Sequence, residues 1–375
     1  MKKICFVLTA ESVVKVFLLN HLRALSKFYE ITVIVNTNNA NFLVEQGVVA
    51  KVMPLAIARE INLISDFRCL IKLIKIFHQQ CFSSVHSVTP KAGLLAMLAA
   101  WIISIPVRVH TFTGQVWVTK TGFKRGLLKW IDYLIASLTT RNLVDSSSQC
   151  QFLFVEKVMT SDKSIVFAKG SISGVDVARF KPNQQARIST RQQLNISQVA
   201  MVFLFMGRLT RDKGVLDLAQ AFSRLNPVNA SLLFVGSDEQ NMQAEIISIF
   251  GKDSQNVNFV DHTDVPESYM AAADVLCLPS YREGFGSVVI EAAAVGIPTV
   301  ASRIYGITDA VLDNETGLLH AAGDVDAIKK WMQLLIENEP LRLKLGKQAR
   351  ERAVKDFDSK ILTQEWINFY YENIH

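Results

Sequence analysis

The amino-acid sequence predicts an α/β protein of two doubly wound, Rossmann-like domains whose parallel sheets face an interdomain cleft. Three observations carry this. Short, near-continuous apolar runs alternate with helical stretches; a polar stretch near 181–195, KPNQQARISTRQQLN, interrupts the alternation; the same alternation then restarts. Strands that are apolar throughout are covered on both faces, which calls for helices on each side and parallel pairing. The 375 residues accommodate two cores of ordinary size. Ligands of such sheets sit beyond the carboxyl ends of the strands and in the cleft between domains.

The elements follow in order. KICFVLT (3–9) reads as a first buried strand. It imitates a signal peptide, but its apolar run is short, Glu11 follows at once and no A-x-A cleavage site is present. An amphipathic helix from Ser12 to about Phe28 leads to ITVIV (31–35), and SSVHSV (83–88), PVRVHTF (106–112) and RNLVDSS (141–147) continue the series. AGLLAMLAAWIISIPV (92–107) is a long uncharged, apolar stretch. It falls short of the roughly 18–20 residues that span a bilayer and reads as a buried helix leading into a turn. The second series comprises MVFLFMG (201–207), a helix to Arg224, SLLFVG (231–236), a helix from about Asp238, NVNFV (256–260), ADVLCLP (273–279) and PTVAS (298–302). The last segment, FDSKILTQEWINFYYENIH, is helical and aromatic, and either caps the second domain or crosses back onto the first. Domains are therefore expected at 1–182 and 183–357, with 358–375 as that helix.

Charge separates the two halves. Through Pro182 there are 22 Lys and Arg against 10 Asp and Glu, a net of +12; the remainder holds 18 against 24, a net of −6. Opposite signs imply different partners for the two domains. A basic, apolar first half suits an anionic membrane surface, and no nucleic-acid-binding signature accompanies the charge. The five cysteines show neither a C-x-x-C pair nor regular spacing, which fits a reducing compartment and suggests no disulfide framework or zinc site.

The chemistry is densest in EGFGSVVIEAAAVGIPTV (283–300), where Glu283 and Glu291 flank a Gly-Phe-Gly turn. The preceding ADVLCLP is a strand, and SVVIEAAAVG is a short helix closed by Gly296. A glycine-rich loop entering a helix offers free N–H groups and the positive end of the dipole to a phosphate. Glu283 would be repelled by that anion unless it engages something else, such as sugar hydroxyls, while Glu291 can accept two hydrogen bonds from a vicinal diol such as a ribose. The bland alternative is a capped helix with two solvated glutamates. MVFLFMGRLTRDKG (201–214) supplies a second candidate anion site, with Gly207-Arg208 just past a strand and Lys213 before a helix. Asp324-Val325-Asp326 spells D-x-D, but it precedes a helix and reads as its cap.

GRLTRDKG, LLFVGSDE, DVPESYMAAADVLCLPSYREGFGSVVIEAAAVGIPTVAS and ETGLL, in this order, resemble the retaining family-4 glycosyltransferases of the GT-B fold. SGVDVARFKP (173–182) resembles the stretch that precedes the family's interdomain joint. The resemblance covers roughly 165–320 strongly and the first half more loosely. It implies a nucleoside-diphosphate-sugar donor, taken as UDP-linked, as substrate in the second domain, an acceptor in the first, and neither cofactor nor metal. It also implies a catalytic set of Glu283, Arg208 and Lys213, with Arg208 and Lys213 on the diphosphate and Glu283 on the donor sugar. Gly207, Gly284, Phe285, Gly286, Ser287 and Glu291 complete the donor site, with Glu291 on the ribose.

The first half departs from the family pattern. It reads LTAESVVK where many members carry Gly-Gly, and VHTFTGQVW places Thr113 before Gly114, with His110 three residues earlier. HSVTPKAG and HTFTGQVW nevertheless look like a subgroup that builds bacterial O-antigen, capsule or glycoprotein glycans on undecaprenyl diphosphate. Lys91, His110, Thr113 and Gly114 are accordingly the candidate contacts to a lipid-linked saccharide. Residues 116–142 interleave Lys120, Lys124, Arg125 and Lys129 with Trp117, Phe123, Trp130 and Tyr133, and residues 59–80 form a second basic amphipathic stretch. Both suit the headgroup plane of an anionic inner leaflet, the alternative being helices packed on the sheet with a solvated basic face. The expectation is a cytoplasmic, peripheral-membrane, metal-independent hexosyltransferase. Its rivals are a soluble GT-B enzyme, such as a glycogen-type transferase or a sugar-nucleotide epimerase, and a non-catalytic nucleotide-sugar-binding protein.

Overall fold

The structure, a computed structural model, describes residues 1–57, 62–225 and 229–374. The chain forms two compact units, Met1–Ser173 with Ser359–His375, and Gly174–Asp358. Residues 59–61 of the basic stretch 59–80 lie outside the described residues.

The first unit holds β1 (Lys3–Leu8), β2 (Glu30–Val35), β3 (Lys51–Pro54), β4 (Ser84–Val88), β5 (Val107–Phe112), β6 (Arg141–Val144) and β7 (Ser164–Ile165) in the order β3-β2-β1-β4-β5-β6-β7. The second holds β8 (Met201–Met206), β9 (Ala230–Val235), β10 (Val257–Val260), β11 (Val275–Leu278), β12 (Thr299–Ser302) and β13 (Gly317–His320) in the order β10-β9-β8-β11-β12-β13. The strand pairs are parallel, with Ile4 opposite Ser84 and Val275 opposite Phe203, for example. Their apolar runs are buried as expected: Cys5, Phe6, Val7 and Phe203, Leu204, Phe205 expose nothing. This is the doubly wound α/β architecture twice over. The strand order reverses beside β1 and beside β8, so the crevices where ligands bind open at the carboxyl ends of β1 and β4 in one unit and of β8 and β11 in the other.

Three strands lie outside that expectation. β3 is a four-residue edge strand that ends in Pro54 and pairs with β2, and such strands carry little apolar signal. β7 has two residues and forms the opposite edge, and β13 overlaps the ETGLL motif. The polar stretch 181–195, expected as the joint, contains the helix Gln184–Gln193 of the second unit, capped by Asn183. Its polarity is deceptive, because Arg187 and the fully buried Arg191 both reach Asp274, at 2.7 and 2.8 Å. Arg191 Nη1 also donates to the carbonyls of Ser197, Gln198 and Ala200.

The aromatic C-terminal helix, Ser359–Ile374, packs in the first unit. Trp366 lies between the rings of His21 and His86, 5.1 Å from each, and donates from Nε1 to the Ile172 carbonyl. Tyr370 Oη meets His86 Nδ1 at 2.7 Å. Among the described residues no helix is long and apolar enough to cross a membrane.

Candidate functional site

In the second unit the site is built from the loops that follow the adjacent strands β8 and β11. Gly214, with φ +69°, closes the β8 loop where a Cβ would fall 2.1 Å from the Pro279 carbonyl oxygen, so only glycine lets the two loops approach. The loops are then stitched together. Tyr281 N–H donates to the Asp212 carbonyl at 2.9 Å, Arg282 pairs with Asp212 at 2.7 Å, and the Tyr281 hydroxyl donates to Asp217 at 2.8 Å. The result brings Lys213 Nζ to 2.5 Å from Glu283 Oε1, across 70 residues of sequence; Ser280 Oγ donates to the same oxygen at 2.8 Å. Both side chains of this ion pair are largely buried.

Beyond Glu283 the chain passes Gly284 and Gly286, the latter at φ +80° as the residue that opens the helix Ser287–Val295. Phe285 differs from its sequence assignment: its ring is core, 5.3 Å from Phe357, so only its backbone faces the turn. Glu291 lies one turn into the helix, half-buried. Burial pushes its carboxyl up to about 7, with Arg179 acting against that shift and Glu267 adding to it. Arg179 is itself paired with Glu267 at 2.8 Å. Arg208 stands beside Gly207 past β8, and its Nη1 lies 2.8 Å from Glu239 on the loop after β9. Asp324 caps the helix Val325–Glu337 by accepting the Ala327 N–H. Among the described residues no cluster of three His, Cys, Asp or Glu is placed to hold a metal ion.

In the first unit the loops after β1 and β4 meet where Thr9 Oγ1 donates to Thr89 Oγ1 at 3.3 Å. Thr89 has φ +79°, strained for a β-branched residue, and leads into the helix Pro90–Ile102. Lys91, in the first turn of that helix, pairs with Asp66 at 2.7 Å. Thr113 and Gly114 lie in the loop at the carboxyl end of β5, partly exposed. His110 does not join them. Its ring is buried beneath Gly93, bonded to Ser87 Oγ at 2.8 Å, and burial drives its titration down to about 3. It supports the strand end rather than presenting a ring to a ligand.

The basic aromatic segment sorts itself differently from its sequence reading. Trp117 is buried and donates to Asp132 at 2.8 Å. Arg125 and Lys129 both pair with Glu156 and lie over the Trp117 ring at 5.6 and 5.7 Å. Lys120 and Lys124 are exposed, as are Phe123 (84%), Leu127 and Trp130 (56%) on the helix Gly122–Leu138. The helix Leu63–Gln80 exposes Ile64, Phe67 and Ile71 beside Arg68, Lys72 and Lys75. Both helices pack against Pro90–Ile102.

Sequence reasoning missed Asp212, Ser280, Arg282 and Glu239, which brace or occupy the foreseen residues. Asp212 sits inside the G-R-x-x-x-x-K spacing and Arg282 directly precedes Glu283, so their positions were the available signal.

Comparison with known proteins follows from this geometry. The family described as glycosyl transferases group 1 matches residues 186–352. The capsular polysaccharide biosynthesis glycosyltransferase CapM of Staphylococcus aureus is 32% identical over 326 residues, 86% of this chain and 84% of that protein. The UDP-Gal:alpha-D-GlcNAc-diphosphoundecaprenol alpha-1,3-galactosyltransferase of Escherichia coli is 25% identical over 309 residues, 80% of this chain and 78% of that one. Among solved structures, Anabaena HepE in complex with UDP and glucose superposes with a TM-score of 0.82 over 99% of this chain and 100% of that one, at 19% identity, a likeness of fold.

Proposed function

The chain belongs to the group 1 glycosyl transferases, and from that premise we propose that it moves a hexose or N-acetylhexosamine from a UDP-sugar to a lipid-diphosphate-linked saccharide. The transfer retains configuration, needs no metal and serves bacterial surface-polysaccharide synthesis. The carrying observation is the convergence of Lys213 and Glu283 at the switch point of the second sheet, at the mouth of a glycine turn that opens a helix. Arg208, Lys213 and the first turn of Ser287–Val295 stabilise the charge that develops on the departing diphosphate. Glu283 holds the sugar hydroxyls and Glu291 the ribose. The acceptor oxygen bonds to the anomeric carbon on the face the diphosphate leaves; the carbon–oxygen bond to phosphate breaks, and the acceptor proton passes to the leaving phosphate. The two-carboxylate chemistry of glycosidases is not required.

The acceptor is assigned to the first unit, with Lys91, Thr113 and Gly114 at its strand ends. The S. aureus relative's name speaks of capsule and the E. coli relative's of a diphosphoundecaprenol acceptor, which supports a lipid-linked substrate here. The exposed Ile64, Phe67, Ile71, Phe123, Leu127 and Trp130, with Lys72, Lys75, Lys120 and Lys124, would seat this unit on the cytoplasmic face of the membrane. The test is a screen of UDP- and GDP-sugars against a synthetic lipid-diphosphate saccharide, read by product mass. One UDP-sugar should give a product heavier by one hexose or N-acetylhexosamine. Transfer only to a soluble glucan, or donor binding without turnover, would replace this reading with a glycogen-type enzyme or a binding protein.

A further inference from the structure

Arg208, one of the two cations offered to the diphosphate, already has a carboxylate on it. Its Nη1 is 2.8 Å from Glu239 Oε2. This is more than a chance meeting of long side chains, because the loop carrying Glu239 is tied down. Leu209 N–H donates to the Ser237 carbonyl at 2.9 Å, Arg211 N–H to Gln240 Oε1 at 3.0 Å, and Arg211 pairs with Glu245 at 2.7 Å. Asp238 fixes the other side by accepting the N–H groups of Gln240, Met242 and Gln243 at the start of Met242–Phe250. Glu239 is thus held between two anchored neighbours, facing the loop after β8.

We propose that Glu239 sets the affinity of the donor site by competing with the diphosphate for Arg208. The inference rests on the assignment of Arg208 to the diphosphate. Carboxylate and phosphate oxygens draw on the same guanidinium N–H donors, so a diphosphate that takes the Nη1 donor displaces Glu239, and Glu239 returns when the nucleoside diphosphate leaves. The pair is about one-third exposed on each side, where such bridges are worth little. The competition therefore costs the donor a few-fold in affinity, enough to hasten product release without preventing binding.

The sign of the effect separates it from damage to the fold. Dissociation constants of UDP, GDP and ADP are measured by calorimetry for the full chain, Glu239→Gln, Arg208→Ala, the double variant, and Glu351→Gln, in an exposed pair with Lys347, as a control. Glu239→Gln should tighten the preferred nucleotide by about two- to five-fold, Glu351→Gln should leave it unchanged, and Arg208→Ala should weaken it. In the double variant the gain from Glu239→Gln should vanish. Unchanged or weaker binding in Glu239→Gln overturns the inference, and so does a gain that persists without Arg208, which would be a general effect of removing a negative charge. If no nucleotide binds the wild-type chain, or Arg208→Ala binds normally, the donor-site reading itself falls and the inference with it.

Discussion

Replacing Lys213 with Met keeps the aliphatic stem and removes the cation that meets Glu283 at 2.5 Å. Glu283 then keeps Ser280 Oγ on that oxygen. The two side chains are 18% and 13% exposed, between a buried and a surface pair. Breaking a buried pair costs about 3–5 kcal/mol and a surface one about 0–1, so about 1–3 kcal/mol of stability should go, lowering Tm by about 2–10 °C for a unit of this size. The loss of turnover should be larger, about 10²–10³-fold, because a charge aimed at the departing diphosphate acts on the transition state. Donor-dependent release of nucleoside diphosphate, followed at a temperature where the variant is folded, measures it. Glu283→Gln supplies the contrast. It should lose comparable turnover through the sugar, yet bind UDP at least as tightly as wild type, since Lys213 is then unoccupied by a carboxylate. If Lys213→Met stays within three-fold of wild-type turnover, or Glu283→Gln weakens UDP as much as Lys213→Met does, the pair is a structural brace and the catalytic assignment fails.

Glu291 should give the donor a pH dependence. With its carboxyl raised to about 7 by burial, donor KM should rise as pH falls from 8 to 6, and Glu291→Gln should abolish the trend. The stability effect has the opposite sign: folding favours the protonated form, a contribution complete below the ordinary value of 4.5 and lost as pH rises through about 7, so Tm of the donor-free protein should show this component falling from pH 6 to 8. Asp274→Ala strands the fully buried Arg191 and should cost about 3–5 kcal/mol by denaturant unfolding, whatever the enzyme's substrate; a loss under 1 kcal/mol would refute the account of the 184–193 helix. For vesicles containing anionic lipid, Lys120→Gln with Lys124→Gln should weaken binding more than Arg125→Gln with Lys129→Gln, whose two cations share the one Glu156 carboxylate. Binding should drop in 1 M salt, where the Debye length is about 3 Å, and equal binding to neutral vesicles would make the contact purely apolar.

What was legible in the sequence, and what was not, divides along the range over which a residue acts. The places of Arg208, Lys213, Glu283 and Glu291 past β8 and β11 could be read because each is fixed by its distance from the end of its own strand, and a strand followed by a glycine loop and a helix leaves few places to stand. The core strands were legible for the same local reason. The partners of those residues were not. Asp212 reaches Arg282, and Arg208 reaches Glu239, only because β8 lies between β9 and β11, an order that parallel crossovers create and that no window of sequence contains. The polar helix Gln184–Gln193 was mistaken for a linker because the apolar pattern is absent where burial is achieved by Arg191 meeting Asp274, more than 80 residues away. His110 and Trp117 misled in the opposite way. Each has a residue type suited to a site, and each is enclosed by a neighbour, Gly93 or Asp132, that composition does not point to. A site motif therefore names the groups that meet a ligand, while the sheet order decides which of them meet it already paired. In the proposed donor site that pairing bears on affinity, and for this chain it places carboxylates on both of the cations that the motif assigns to the diphosphate.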